Sequence, residues 1–321
     1  MKKIIEPINQ ELKDFKKLYK RSFSQDTNLL LNISNYIFDN SGKKIRPILI
    51  FLVSGLLGKI NSKTYTSAIL IELLHVATLI HDDVVDEAQF RRKKLSVNSL
   101  WKNKVAVLIG DFFLAQGLKI AIQENSEKML LYTSKAVQKM AEGEILQLEK
   151  SRKLTLIEED YYKIIEYKTA SLFGCCCELA AFSNNLSEFE MEKIYQFGIK
   201  LGLMFQIKDD LLDYENKKST GKLLGNDIKE SKMNLPLLYA IQNSNKEEKT
   251  KIINLLYKPV KKKEDVSIII AFVKKNNGIK YADEVLKKYK KEAILMLNNF
   301  PDSKYKTSIL YLLEFLIERK K

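Results

Sequence analysis

Aspartates at 82, 83 and 86 follow an apolar run, IELLHVATLI at 71–80, and the same pattern returns at 209, 210 and 213 after GLMFQI at 202–207. In a helix, residues four apart share a face with Cβ atoms roughly 5–6 Å apart, so Asp82 and Asp86 form one carboxylate pair and Asp209 and Asp213 another. Like charges at that spacing repel, and apolar surroundings raise the cost of keeping them ionised. A cation must therefore sit against them. One such motif could be a capped or salt-bridged cluster. Two copies, far apart in the chain and each at the end of an apolar segment, point to shared chemistry.

Carboxylates are hard oxygen ligands, and the ion that accepts one or two of them together with substrate phosphates is Mg²⁺. Zinc does not fit, because the chain has two histidines and its three cysteines are consecutive, Cys175 to Cys177. Basic residues gather near the aspartates in the order of the chain: Gly42-Lys43-Lys44-Ile45-Arg46-Pro47, Arg91-Arg92, Lys168-Thr169, Lys222 and Lys232. Acidic clusters for Mg²⁺ with Lys and Arg around them suit a substrate bearing two or more phosphates. The nucleotide cradles are missing: no G-x-x-x-x-G-K-[ST] occurs, and Gly221-Lys222 is followed by Leu223. No G-x-G-x-x-G occurs either.

The elements that must carry these residues read as helices. The 321 residues include 45% hydrophobic and 29% charged ones, enough for a globular core. Proline is absent from 48 to 235. A proline inside a helix costs roughly 3 kcal/mol, so long helices are permitted there. Segments 68–85, 105–122, 128–149, 159–182 and 189–214 carry apolar residues at helical spacing, and none alternates with period two. The fold class expected is all-α. Without a repeat of roughly 20–50 residues or a Pro/Gly-rich linker, 1–321 reads as a single domain. The net charge of +14 suggests an anionic partner without choosing one. The Lys-rich runs KPVKKK at 258–263 and KKYKK at 287–291 read as solvated helix faces rather than a nucleic-acid patch. The N-terminus lacks an apolar h-region, and Glu72 and His75 interrupt the longest apolar run, so the expectation is a cytosolic chain without a bilayer-spanning segment.

On these motifs the chain resembles the trans-isoprenyl diphosphate synthases, or polyprenyl synthetases. The resemblance runs from GKKIRP at 42–47 through IELLHVATLIHDDVVDEAQFRR at 71–92, GD at 110–111, KTASLF at 168–173 and FQIKDDLLDY at 205–214. GKLLGND at 221–227 and SKMNLP at 231–236 complete it; the C-terminal third adds little. It implies an all-α bundle of mostly antiparallel helices with both aspartate motifs on a central cavity, acting by ionisation, condensation and elimination. By resemblance, Asp82, Asp86 and Asp209 hold Mg²⁺, and catalysis rests on them with Lys168 and Arg91. Lys43, Arg46, His75 and Arg92 would bind isopentenyl diphosphate. Arg91, Lys168, Thr169, Gln206, Lys222 and Lys232 would bind or flank the allylic diphosphate. Asp83, Asp210 and Asp213 would support the metal ligands through water or neighbouring lysines. Phe112, Phe113 and the three cysteines would line the core or a tunnel. Two departures stand out: the family's Gly-Gly-Lys is Ser41-Gly42-Lys43, and its Gly-Lys-x-Thr is Ser231-Lys232-Met233-Asn234.

The growing chain would run along the helix face before Asp82, past Ala77 and Thr78 and then Leu74. No aromatic residue stands at these positions, which implies an open route. The segment around the first motif most resembles octaprenyl and related long-chain synthases, which implies a product of about eight isoprene units, within a hexa- to decaprenyl range, for quinone side chains. A shorter, geranylgeranyl or farnesyl, product is the alternative, as is a role as one subunit of a heteromeric synthase. A terpene cyclase would carry Asn/Asp, Ser/Thr and Glu in its second metal site, where this chain has the synthase form. A homodimer is implied by the resemblance. The positive charge, finally, would suit peripheral contact with an anionic membrane that receives the apolar product, with no nucleic-acid partner.

Overall fold

The structure, a computed structural model, describes residues 1–23, 27–92, 94–124, 126–153, 156–215 and 225–319. It is built from helices, as the apolar spacing predicts, and it divides into two compact units.

The first unit comprises Met1–Lys135, Cys175–Tyr195 and Asp302–Ile309. It opens with α1 (Lys2–Ile5), a 3₁₀ turn (Glu6–Ile8), α2 (Asn9–Arg21) and α3 (Asn28–Asp39). Next come α4 (Ile45–Leu57) and α5 (Ser62–Val85), then a hairpin of two-residue strands, β1 (Phe90–Arg91) and β2 (Lys94–Leu95), and α6 (Val97–Gln123). Helix α4 is buried almost all round from Pro47 to Ser54, and Gly58 stops it. The N-terminus of α5 is fixed by a capping box: the Asn61 side chain accepts from Thr64 N–H, and Thr64 Oγ1 accepts from Asn61 N–H. That box starts α5 six residues before the apolar pattern does. The start matters, because it gives a 24-residue helix whose last turn carries Asp82 and Asp83, with Asp86 as its C-cap. Hydroxyls of Ser54, Thr64 and Ser183 bond one another at 3.0 to 3.2 Å. This buried polar knot therefore leaves no hydroxyl unsatisfied. Phe113 packs edge-on against Phe23 with ring centroids 5.1 Å apart, and Cys175 to Cys177 are fully buried, so these residues belong to the core.

Two features of this unit differ from expectation. Periodicity gives no strand, yet β1 and β2 pair antiparallel, Phe90 with Leu95 and Arg91 with Lys94; two-residue strands are too short to show alternation. Helix α6 is long and apolar enough to cross a bilayer, with a third of its most apolar window buried. Asp111 and Lys119 break its apolar run in sequence without removing its average character. A break at Lys102, whose φ is 73°, splits its first turn from the rest.

The second unit comprises Ala136–Gly174, Gln196–Pro301 and Leu310–Lys321. Its elements are drawn from α7 (Glu127–Lys153), α8 (Glu158–Ile165), a π turn (Glu166–Ala170), α9 (Ser171–Ser183) and α10 (Glu188–Leu212). There follow α11 (Asn226–Lys229), α12 (Leu235–Gln242), α13 (Lys246–Leu256), α14 (Lys263–Lys275), α15 (Gly278–Leu297) and α16 (Lys304–Glu318). A core of Ile228, Leu237, Ile252, Val266, Ile269 and Val273 holds α11 to α14 together. Gly202 lets α10 lie against the π turn: a Cβ there would come within 2.3 Å of Ala170 Cα. That close approach sets the position of Gln206, one turn further on.

Candidate active site

Each aspartate motif closes a helix at its negative end, where a carboxylate is least welcome. The last turn of α5 has no basic residue of its own. In the first motif the middle carboxylate is neutralised locally: Asp83 is buried and accepts from Arg91 Nε at 2.7 Å. An arginine does this, where the sequence suggested water or lysine. Asp82 is half-buried and Asp86 exposed. In the second motif Asp210 is buried and accepts from Tyr161 Oη at 2.6 Å, Gln206 Nε2 at 3.1 Å and the Leu235 N–H at 3.3 Å. Burial and the nearby Asp227 carboxylate nevertheless push Asp210 up to about 7. Asp213 accepts from the backbone N–H groups of Asn226 and Asp227, the first residues of α11. Asp209, 37% exposed, accepts from Arg319 Nη2 at 2.8 Å.

In the first unit a cleft is lined by Gly42, Glu72, His75, Asp83, Arg91 and Arg92. The hairpin supplies the two arginines, with Arg92 in the left-handed region at φ 51°. Gly42 lies against the Arg92 guanidinium: a Cβ there would come within 2.5 Å, so a side chain at 42 would displace the end of Arg92. Lys44 is the N-cap of α4 at φ 52°. Its ammonium is paired with Glu72 at 3.1 Å and lies over the Tyr19 ring at 4.4 Å. With the central lysine so anchored, Lys43 stays exposed and Arg46 turns inward to His75, with Nη1 and Nε2 2.8 Å apart.

Burial, then Arg46 and Arg92, hold the His75 imidazole well below its ordinary value, so it is neutral and accepts from Arg46. Arg91 and Lys44 act in the same direction. An unfolded chain takes up this proton near pH 6.5 while the folded one does not, so stability should fall as pH drops below about 6.5, by up to about 1.4 kcal/mol per pH unit. His75→Gln, which keeps an acceptor for Arg46 and cannot titrate, should flatten this dependence in thermal unfolding measured between pH 5 and 8. An unchanged slope would refute the assignment.

A second cleft, within the second unit, gathers Lys168, Thr169, Gln206 and Lys232 with Asp210 and Asp227. The π turn interrupts the helix at Lys168 and Thr169, an irregularity often found at functional sites. Thr169 Oγ1 donates to Gln206 Oε1 at 2.9 Å rather than back to its own helix. Lys168 pairs with Glu144 and donates to Gln147 Oε1 at 3.2 Å. Lys232 pairs with Glu230 at 2.7 Å and remains 40% exposed. The second departure from the family pattern is chemically mild. Ser231 adopts φ 57°, a glycine-like value. Asn234 caps α12 by accepting from the Leu237 N–H. Lys222 lies outside the described residues.

The structure thus gathers Arg46, His75, Arg91 and Arg92 in one place and Lys168, Thr169, Gln206 and Lys232 in another. The sequence reading missed Glu72, Tyr161, Asp227, Asn234 and Arg319. Asp227 and Asn234 stand inside quoted motifs and could have been found there, whereas nothing local marks Tyr161 or Arg319. Among the described residues no three His, Cys, Asp or Glu side chains form a preformed metal cage. Separate carboxylates with hard oxygen donors fit a hydrated Mg²⁺ completed by phosphate oxygens.

Residues 27–273 match the polyprenyl synthetase family model. The chain belongs to that family. It is a trans-prenyl diphosphate synthase, a prenyltransferase. Over 92% of this synthase and 90% of the other, it is 32% identical to the octaprenyl diphosphate synthase of Haemophilus influenzae. Among solved structures it is similar to the geranylgeranyl pyrophosphate synthase of Bacteroides thetaiotaomicron, with 36% identity, 99% of each chain covered and a TM-score of 0.85. The polyprenyl synthase of Caulobacter crescentus, solved with calcium and isoprenyl diphosphate, superposes with a TM-score of 0.90 at 29% identity, over 99% of this chain and 98% of that one. All-α architecture is common to them, and the helical expectation from sequence holds.

Proposed function

We propose that this synthase, acting as one catalytic domain, extends an allylic diphosphate such as farnesyl diphosphate with isopentenyl diphosphate in a Mg²⁺-dependent reaction. The observation that carries the reading is the division of labour within each aspartate motif. The middle carboxylate is buried and bonded internally, while Asp82 is half-buried, Asp86 exposed and Asp209 37% exposed beside Arg319. Mg²⁺ held by Asp82 and Asp86 at the first motif, and by Asp209 at the second, would neutralise diphosphate oxygens and stabilise a departing pyrophosphate.

The remaining roles fall to the protein's own groups. Lys168 and Lys232 supply positive charge for the allylic diphosphate, and Lys222 is assigned the same part by resemblance. Arg91 stays fixed by Asp83 and presents the rest of its guanidinium to phosphate. Lys43, Arg46 and Arg92 bind isopentenyl diphosphate, and neutral His75 holds Arg46 in place. Thr169 and Gln206 line the second cleft, where their side-chain oxygens would stabilise positive charge developing on an allylic carbon. This chemistry supplies polyprenyl diphosphates of the kind used for quinone side chains.

For product length we favour about eight units, with Leu74, Ala77 and Thr78 as the gauge. Leu74 and Ala77 are buried and Thr78 half-buried on α5, all within two to three turns before Asp82. Ala77→Phe should shorten the product to about three or four units while leaving thermal stability nearly unchanged, since the ring would occupy the alkyl route. If the residue faces close-packed core instead, the larger side chain would cost about 1–3 kcal/mol and leave product length unchanged. The likeness to a geranylgeranyl synthase favours the shorter product as a second reading, and sizing the unsubstituted enzyme's products decides between them.

Self-association is supported by α6, which leaves Leu100, Val107, Leu108, Leu118 and Ile122 exposed. A homodimer would cover them, and a monomer mass in sedimentation at micromolar concentration would exclude it. Binding to anionic vesicles at low salt tests the remaining membrane proposal.

A further inference from the structure

Arg319 follows the last helical residue of α16, in a stretch where the sequence shows no motif. Its side chain is only 5% exposed, a burial that arginine reaches only when paired. The guanidinium lies 3.8 Å from the centre of the Phe205 ring. Nη2 donates to the Phe205 carbonyl oxygen at 2.7 Å and to Asp209 Oδ1 at 2.8 Å. Phe205 and Asp209 are one helical turn apart on α10, so a single donor spans that turn. The cation also sits beside the negative end of α10, where it is electrostatically favoured.

We propose that Arg319 is a positioning residue for Asp209. It fixes one carboxylate oxygen and so presents Oδ2 to a divalent cation in one orientation. Metal-ligating carboxylates depend on such partners, whose loss typically weakens metal binding about 10–100-fold. The C-terminal helix is then part of the catalytic machinery and not only its scaffold. The inference rests on the proposal that Asp209 holds Mg²⁺.

The test is calorimetric binding of a non-ionisable allylic thiolodiphosphate at varied Mg²⁺, with turnover measured in parallel. Arg319→Met keeps an unbranched apolar stem over Phe205 and removes the donors. It should raise the half-saturating Mg²⁺ concentration about tenfold or more. Arg319→Lys keeps the charge and one ammonium, and should recover part of that loss. Leu316→Val, in the core of the same helix, serves as a purely structural comparison and should lower thermal stability without moving the Mg²⁺ requirement. The proposal is overturned if Arg319→Met leaves the Mg²⁺ requirement within twofold of the unsubstituted value, or if Leu316→Val moves it equally. If Arg319→Met fails to fold, Arg319→Lys alone must show the shift. Absence of Mg²⁺-dependent analogue binding by the unsubstituted protein would overturn the metal role of Asp209, and this inference with it.

Discussion

Asp82→Asn should lower turnover roughly 10³-fold, on the order of 4 kcal/mol of transition-state stabilisation, with little change in melting temperature. The substitution keeps side-chain size and helical position and removes one negative charge from a half-buried site near the end of α5. Its neighbour should behave in the opposite way. Asp83 is buried and bonded to Arg91 at 2.7 Å. Asp83→Asn removes that charge-assisted hydrogen bond and should cost on the order of 2 kcal/mol of stability. Its turnover should fall less than that of Asp82→Asn. Steady-state rates at saturating Mg²⁺, read beside thermal melts, separate the two. Equal losses of rate and of stability in both variants would mean that the motif is one structural cluster, and the division of labour would be wrong.

Glu72→Ala should destabilise the first unit by about 3–5 kcal/mol, because it strands the Lys44 ammonium in the core. Lys44 and Glu72 side chains are 9% and 6% exposed, and Phe15, Tyr19 and Phe38 present their rings to the ammonium. The double variant Lys44→Met, Glu72→Leu removes both charges and should recover most of the loss, since a buried pair exchanged for apolar residues is often neutral. Chemical unfolding followed by circular dichroism measures the cycle. Binding of isopentenyl diphosphate should weaken in both variants, because the pair pins the turn from which Lys43 and Arg46 diverge. If the losses of Lys44→Met and Glu72→Leu made singly sum to that of the double variant, Lys44 and Glu72 act independently.

The sequence made the helices and the two aspartate motifs legible for a physical reason. Helical spacing and the absence of proline from 48 to 235 are local signals, and so is a carboxylate pair four residues apart. The π turn at Glu166–Ala170 was not legible, because it changes the hydrogen-bond register without changing the apolar pattern. Nor was the hairpin that carries Arg91 and Arg92, since two residues per strand cannot display a period. Partners distant in sequence were hardest to see. Asp83 meets an arginine eight residues away, which is nearly local, but Asp210 depends on Tyr161 and Asp209 on Arg319, 110 residues later. Asn234 shows the converse case. It looked like a departure from the family's threonine, yet both are good N-caps, and Asn234 caps α12 as a threonine could.

Metal-dependent chain elongation is the activity proposed for the two aspartate motifs. Its most direct measurement is incubation of the purified protein with farnesyl diphosphate, labelled isopentenyl diphosphate and Mg²⁺, with an EDTA control, followed by sizing of the dephosphorylated products. The account predicts a ladder of products ending near eight units that disappears with EDTA. Label incorporated equally with and without the chelator would contradict it.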